Sequence, residues 1–301
     1  MTTDSSTART AHAGISSAAD AKTAAASQKH NQADALSLSR TKMYKRHFVT
    51  GGASLLVLVL FLASWQWVPG WLGMPEYILP KFTSVVEEGI HMWKTGRLLD
   101  HFIITAIEVV AGFILGSLLG LFVGVVLGLS PTTETVLSPY ILALQIAPKV
   151  AFAPLFVMWL GYTMYPKILV ALLIVFFPIM VNVLSAIRTV DPDMINLVRT
   201  LNAKRWQIFY FVEFPSSLPP LFSGLRIGAT LAVIGVTVGE LVGGNTGLGF
   251  LLVDAEGQGN TAGVFVAIIG LTVIGILAYA VVAWAERRCL HYLPRASGHH
   301  I

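Results

Sequence analysis

The chain has 301 residues, 55% hydrophobic and only 12% charged, with a mean hydropathy of +0.71. Soluble domains carry about 25% charge, so lipid rather than water solvates most of this surface, and a pair of soluble domains is excluded in favour of one helical membrane bundle. The net charge of +4 comes from basic clusters at 40–46, 199–205 and 286–295, all beside apolar runs, which is the pattern of membrane anchoring and not of a nucleic-acid surface.

Residues 1–46 are rich in Ala, Ser and Thr without hydrophobic periodicity, and too little apolar surface is present to offset chain entropy. A disordered tail is predicted there, and no apolar core near the start suggests a signal peptide. A bilayer-spanning helix needs about 20 mostly apolar residues. Segments 47–67, 102–129, 136–160, 168–186, 221–242 and 263–285 satisfy that. The fold class expected is therefore all-α, a polytopic bundle of about six transmembrane helices. Between the first two spans, Trp67, Trp71, Tyr77 and Trp93 suit an interface, and a short amphipathic helix is predicted near 82–94. A single cysteine, Cys289, excludes an intrachain disulfide.

The second span carries Gly112, Gly116, Gly120, Gly124 and Gly128. A spacing of four puts them on one helix face, where a neighbouring backbone approaches closely; a less regular set runs from Gly224 to Gly243 in the fifth span. The third span is interrupted at Pro148 and Lys149. Proline removes a backbone donor, and an ionisable group deep in a span is functional by default. Lys149 is expected either to line a path, with Glu108 or Glu240 as partner, or to form a buried structural pair. Trp159, with Phe152 and Phe156, is a candidate for stacking on a solute or for plain core. No His/Cys cluster has metal-ligand spacing, and no phosphate-binding glycine loop or nucleophile–base motif occurs, so no cofactor or metal and no catalytic residue is expected on this chain.

Lys and Arg density sets orientation. The inner flanks are assigned Arg188, Arg199, Lys204, Arg205, Arg287 and Arg288, while the outer loops hold Lys81, Lys94, Arg97 and Lys167. Both termini are then predicted to be cytoplasmic. The polar stretch 196–220 is unusually long for a loop between spans. It is amphipathic and basic and ends in Pro215-Ser-Ser-Leu-Pro219-Pro220, expected to stop a helix.

That stretch resembles the coupling loop of ABC importer permeases, approximated as E-A-A-x3-G-x9-I-x-L-P. Asn196, Leu197 and Val198 stand at the E-A-A, Asn202 at the Gly, Val212 at the Ile, and Phe214-Pro215 at the Leu-Pro. The Glu is lost and the Gly is Asn, the non-Gly residue that best tolerates a left-handed bend. Further residues are similar to the nitrate/sulfonate/taurine branch, with its thiamine-pyrimidine-precursor and riboflavin relatives: Ile78-Leu79-Pro80, the run Ala147–Leu155, Trp159-Leu160-Gly161, Phe176-Phe177-Pro178 and Gly239-Glu240-Leu241. The likeness covers 78–284.

The resemblance implies a type I permease of a bacterial inner membrane. Its domains would be a tail over 1–46, a first helix and periplasmic segment over 47–100, the transmembrane domain over 101–288 with a coupling loop over 188–220, and a tail over 289–301. It implies a cytoplasmic ATPase dimer as partner, with ATP and Mg on that chain, a second permease subunit in a homodimer, and an extracytoplasmic substrate-binding protein. A short helix over 197–209 would ride in an ATPase groove, with Leu201, Trp206, Ile208 and Phe209 as apolar anchors and Arg199, Lys204 and Arg205 as a basic rim. The runner-up function is an ion-driven secondary transporter, which would explain the broken span but for which paired inverted repeats are not evident.

Overall fold

The computed structural model describes residues 52–188 and 190–291; the two predicted tails lie almost wholly outside them. By internal contacts the chain divides into two units, Met1–Val68 and Pro69–Ile301. Helix α1, Gly52–Trp71, is one of the apolar spans. Most of its side chains are exposed, as suits a helix bathed in lipid.

The second unit begins with α2 (Phe82–Lys94), the amphipathic helix expected from sequence, with Val85 and Met92 on its buried face. Then follow α3 (Arg97–Leu129), α4 (Pro131–Ile146), a 3₁₀ turn (Lys149–Phe152), α5 (Ala153–Leu160) and α6 (Met164–Arg188). After α7 (Pro192–Thr200) and α8 (Arg205–Ile208) come a π turn (Phe209–Glu213), α9 (Phe214–Gly243), α10 (Leu248–Gly257) and α11 (Thr261–Cys289). Among the described residues five helices are long and apolar enough to cross a membrane, and the pair Pro131–Ile146 and Lys149–Leu160, bent by 78°, makes a sixth if it crosses as one broken span.

The core is α6 held between α3 and α9. A Cβ added to Gly112 would fall 2.6 Å from Ala171 Cβ, one on Gly120 2.7 Å from the Phe176 carbonyl oxygen, and one on Gly124 2.8 Å from that of Met180. Gly116 and Gly128 meet Val175 and Ile187 in the same way. Contact positions rise together along both helices, so α3 and α6 run parallel, the connection being the return through α4 and α5. Along α9 they fall as those of α6 rise: Gly224 meets Asn182, Gly228 meets Ile179, Gly235 meets Ala171 and Gly239 meets Lys167. So α9 is antiparallel to α6. Missing side chains here bring backbones together where no hydrophobic drive separates protein from lipid. The starts of α3, α6 and α11 and the end of α9 therefore share one end of the bundle, here the gate end; Leu129, Arg188, the 190–213 segment and Cys289 share the other, the loop end.

Two expectations need correction. The Pro215–Pro220 cluster does not stop a helix. The chain is helical without interruption from Arg205 to Gly243, 39 residues, because the π turn over Phe209–Glu213 widens the coil just where the ring of Pro215 would otherwise press on the preceding turn. And the stretch 244–262, left without an element between the expected spans 221–242 and 263–285, contains α10. Its Leu248 and Leu251 are fully buried, too short an apolar run to register as a span.

Candidate functional site

At the gate end a polar cluster lies inside the apolar bundle. Glu108 of α3, Lys167 of α6, and Glu240 of α9 are each no more than 2% exposed, and Thr105 is wholly buried. Lys167 Nζ donates to Glu108 Oε1 at 2.8 Å and to the Thr246 carbonyl at 3.0 Å. Thr105 Oγ1 donates to Glu240 Oε1 at 2.7 Å and accepts from the Leu248 N–H at 2.8 Å. The other Glu240 oxygen accepts from the Gly249 N–H at 2.6 Å, and His101 Nδ1 accepts from the Gly247 N–H at 2.9 Å.

Backbone groups of four consecutive residues, Thr246 to Gly249, are thus each taken by a different side chain from α3, α6 or α9. The turn has no room for anything but glycine at its centre: a Cβ on Gly247 would lie 1.8 Å from Glu240 Oε1, and the residue has φ 105°. Removing one partner from such a buried network leaves a charge or N–H without compensation. The arrangement latches the connection between α9 and α10 over the gate end. Arg97 pairs with Asp254 at the rim, and Asn260 donates to Glu88 Oε1 at 2.9 Å to hold α2 alongside.

The sequence-predicted path residues separate. Glu108 and Glu240 come together in the cluster. Lys149 does not join them: its Nζ bonds the Gln145 and Ala147 carbonyls at 2.5 and 3.4 Å and stands 4.7 Å from the Phe177 ring, closing the break left by Pro148. Its distance from the cluster follows from its level along α6: it stands over Phe177, ten residues and about 15 Å of helix from Lys167. The ammonium facing Glu108 is Lys167, expected in an outer loop and in fact one turn inside α6. Pro166 preceding it, as Pro148 precedes Lys149, and the need of Glu108 for a cation were the available signals. Trp159 is 64% exposed and touches Phe156, centroids 6.0 Å apart.

At the loop end, Asp191 caps α7 by accepting from the Asp193 N–H at 2.9 Å. The short helix expected over 197–209 is parted at Leu201–Lys204 by the bend expected at Asn202, which takes φ 56°. Leu197, Leu201 and Trp206 are 65%, 75% and 62% exposed. Asn196 and Arg199 are exposed too, whereas Val198, Phe209 and Pro215 are half-buried. Ile208 is buried in its own chain and Phe209 packs on Phe214, centroids 6.0 Å apart; neither is an outward anchor. Tyr210 and Phe211 point out in their place. Arg205 donates to the Leu129 carbonyl at 2.9 Å, and Arg188 pairs with Glu134. The loop is thereby tied to the ends of α3 and α4.

A membrane bundle with a polar cluster buried at one end and an exposed amphipathic loop at the other suits a transport subunit, and residues 101–291 match the family described as binding-protein-dependent transport system inner membrane component. The chain belongs to that family and is a membrane-spanning permease subunit of an ATP-driven ABC importer. It is 33% identical to the aliphatic sulfonates transport permease SsuC of Bacillus subtilis, over 79% of this chain and 86% of the relative. It is 37% identical to the riboflavin transport system permease RibX of Chloroflexus aurantiacus, over 77% and 87%. The inward-facing MetNI methionine ABC transporter shares the fold, with a TM-score of 0.55 at 21% identity over 66% of this chain and 96% of that one.

Proposed function

We propose that two copies of this chain enclose a path for a small solute handed over by an extracytoplasmic binding protein, and that a separate ATPase dimer, carrying ATP and Mg, drives alternating access. The observation that carries this is the loop end: Leu197, Leu201 and Trp206 are large apolar side chains held out from a polar, basic segment, which suits a groove on a partner. The loop end is then cytoplasmic, together with both termini, and the latched gate end is extracytoplasmic. Pro148, Lys149 and Trp159, at the broken span, and Glu108 with Glu240 at the latch are assigned to the path, and the five α3 glycines to helix packing. The relatives' solutes, sulfonates for one and riboflavin for another, bracket the substrate chemistry.

Reconstituted with its co-encoded ATPase and binding protein, the chain should accumulate solute in vesicles only with ATP inside the compartment bearing the ATPase. Uptake that needs an ion gradient and persists without ATP would instead establish secondary transport. Reporter fusions at Gly257 and Arg295 should report opposite sides, and the same side for both would overturn the topology.

A further inference from the structure

Two carboxylates and one ammonium at the centre of the gate end would not balance. Glu108, Lys167 and Glu240 are each no more than 2% exposed, and a net negative charge left in an apolar interior is strongly disfavoured. No further cation is at hand to cancel it. His101 Nδ1 accepts from the Gly247 N–H, which an imidazolium cannot do. Arg97 is paired with Asp254 at the rim. Asp100 is exposed and adds only negative charge. Tyr162 and Tyr165, which line the cavity beside Glu108, bring no positive charge.

The hydrogen bonds show what restores the balance. Glu108 Oε1 accepts from Lys167, while Glu108 Oε2 is buried and no N–H or hydroxyl group reaches it. Both Glu240 oxygens already accept, one from Thr105 and one from the Gly249 N–H. Yet the two carboxyl groups are hydrogen-bonded to each other. Ionised carboxylates only accept, so such a bond needs a proton on one of them; two carboxyls this close do not both ionise. The Lys167 ammonium favours the ionised form of Glu108. Glu240 faces only a hydroxyl and a backbone N–H, so it is the side chain that keeps the proton and donates it, and Glu108 Oε2 is the oxygen left to accept. The cluster is then neutral.

We infer that the latch is a proton-binding site: one proton, carried by Glu240 and shared with Glu108, is part of the closed gate end, and it passes to outer water when Leu248 and Gly249 leave the cluster and Glu240 becomes hydrated. Only that O–H bond breaks, and the proton returns from outer water on closing. The proton itself is assigned from this chain alone; its release on the outer side rests on the transport reading above. A hydrated carboxyl has an ordinary pKa of about 4.3. Above that pH the closed form binds one proton more than the open form, so the open form gains by up to about tenfold per pH unit. Acid holds the latch shut.

The test is amide hydrogen exchange of the Thr246–Phe250 segment in the full chain in nanodiscs, wild type against Glu240→Gln, between about pH 5 and 8. The glutamine is neutral and offers Glu108 an N–H in place of the proton. Dividing one rate by the other at each pH cancels the base catalysis common to both, and the wild-type to variant ratio should rise by up to about tenfold per pH unit. Infrared difference spectra at neutral pH should show the carbonyl stretch of a protonated carboxylic acid in the wild type and not in Glu240→Gln. Should that variant fail to fold, Thr105→Val, which removes the hydroxyl on Glu240 Oε1, should shift the same band. A ratio that does not change with pH, or a band that Thr105→Val leaves in place, would overturn the site. So would the absence of the band, and exchange that then depends on sodium would put a metal cation between two ionised carboxylates instead. Neither measurement uses ATPase, binding protein or solute, so a lack of ATP-driven uptake counts against the import reading alone.

Discussion

Helices α4 and α6 are both apolar by composition, yet they occupy opposite environments. Of α6, a long series from Pro166 to Ile187 is buried, including a lysine; of α4, no residue is. Hydropathy reports only that a helix prefers not to face water, since lipid and a protein neighbour are equally apolar partners. What separates the two is the small-residue face opposite: α6 meets the glycines of α3 and α9, while α4 meets none. An apolar helix without buried residues, bent 78° from its continuation, is where a second subunit or lipid must supply the contacts.

The sharpest way to break this comparison is to strip α6 of its buried charge. Lys167→Met leaves Glu108 unpaired in the core and should destabilise the bundle by about 3–5 kcal/mol, while Glu108→Leu combined with Lys167→Met should recover most of that loss. Lys149→Met, at a half-buried amine that hydrogen-bonds only its own turn and stands over the Phe177 ring, should cost less than half as much. Thermal unfolding in detergent measures all three, and equal losses for the two lysines would remove the distinction between core and periphery. Next in size, Gly120→Ala forces α3 off α6 and should cost about 1–3 kcal/mol, whereas Ala143→Leu on α4 should leave the melting point of the single chain unchanged. A tolerant Gly120 would mean that the α3–α6 contact is looser than the 2.7 Å approach requires.

The loop end sharpens the contrast from the other side. Trp206→Asp should weaken ATPase association by about 2 kcal/mol and leave unfolding as it was, because that side chain contributes little to its own chain. ATPase co-purification at wild-type yield, with solute-stimulated hydrolysis intact, would move the docking surface elsewhere. The smallest effect belongs to Ile146→Ala at the end of α4, under about 0.5 kcal/mol in the isolated chain. A larger loss would show that α4 packs within its own subunit.

Sequence reasoning located what depends on local pattern. The six apolar segments, the amphipathic helix at Phe82–Lys94 and the break at Pro148 all follow from runs and breakers within a few turns. Asn202 was legible as the bend because few other side chains accept its φ. The pairing of Glu108 with Lys167 was not, since it joins residues 59 positions apart and depends on where α6 starts, a boundary that apolar runs blur by a turn. Phe209 illustrates a second failure: a helical wheel assigns faces only while the helix stays α, and the π turn begins at that residue. Helix α10 was hidden because its burial is purchased by the latch side chains and not by its own periodicity.

The uninterrupted helix Arg205–Gly243 has a mechanical side. Its 39 residues trace a contour of about 58 Å at about 1.5 Å per residue, nearly twice the roughly 30 Å of hydrocarbon in a bilayer. Trp206, in the surface assigned to the motor, and Glu240, in the latch, are the two ends of one beam, with no slack loop between them. Its compliance is concentrated where backbone bonds are lengthened or missing, at the π turn and at Pro219 and Pro220. The remainder, clamped along α6 by Gly224, Gly228, Gly235 and Gly239, is stiff. With the ATPase docked at Trp206 as proposed, a push on the short arm would reach the Glu240 carboxyl group as a displacement of the whole long arm, the geometry of a pump handle hinged at its short end.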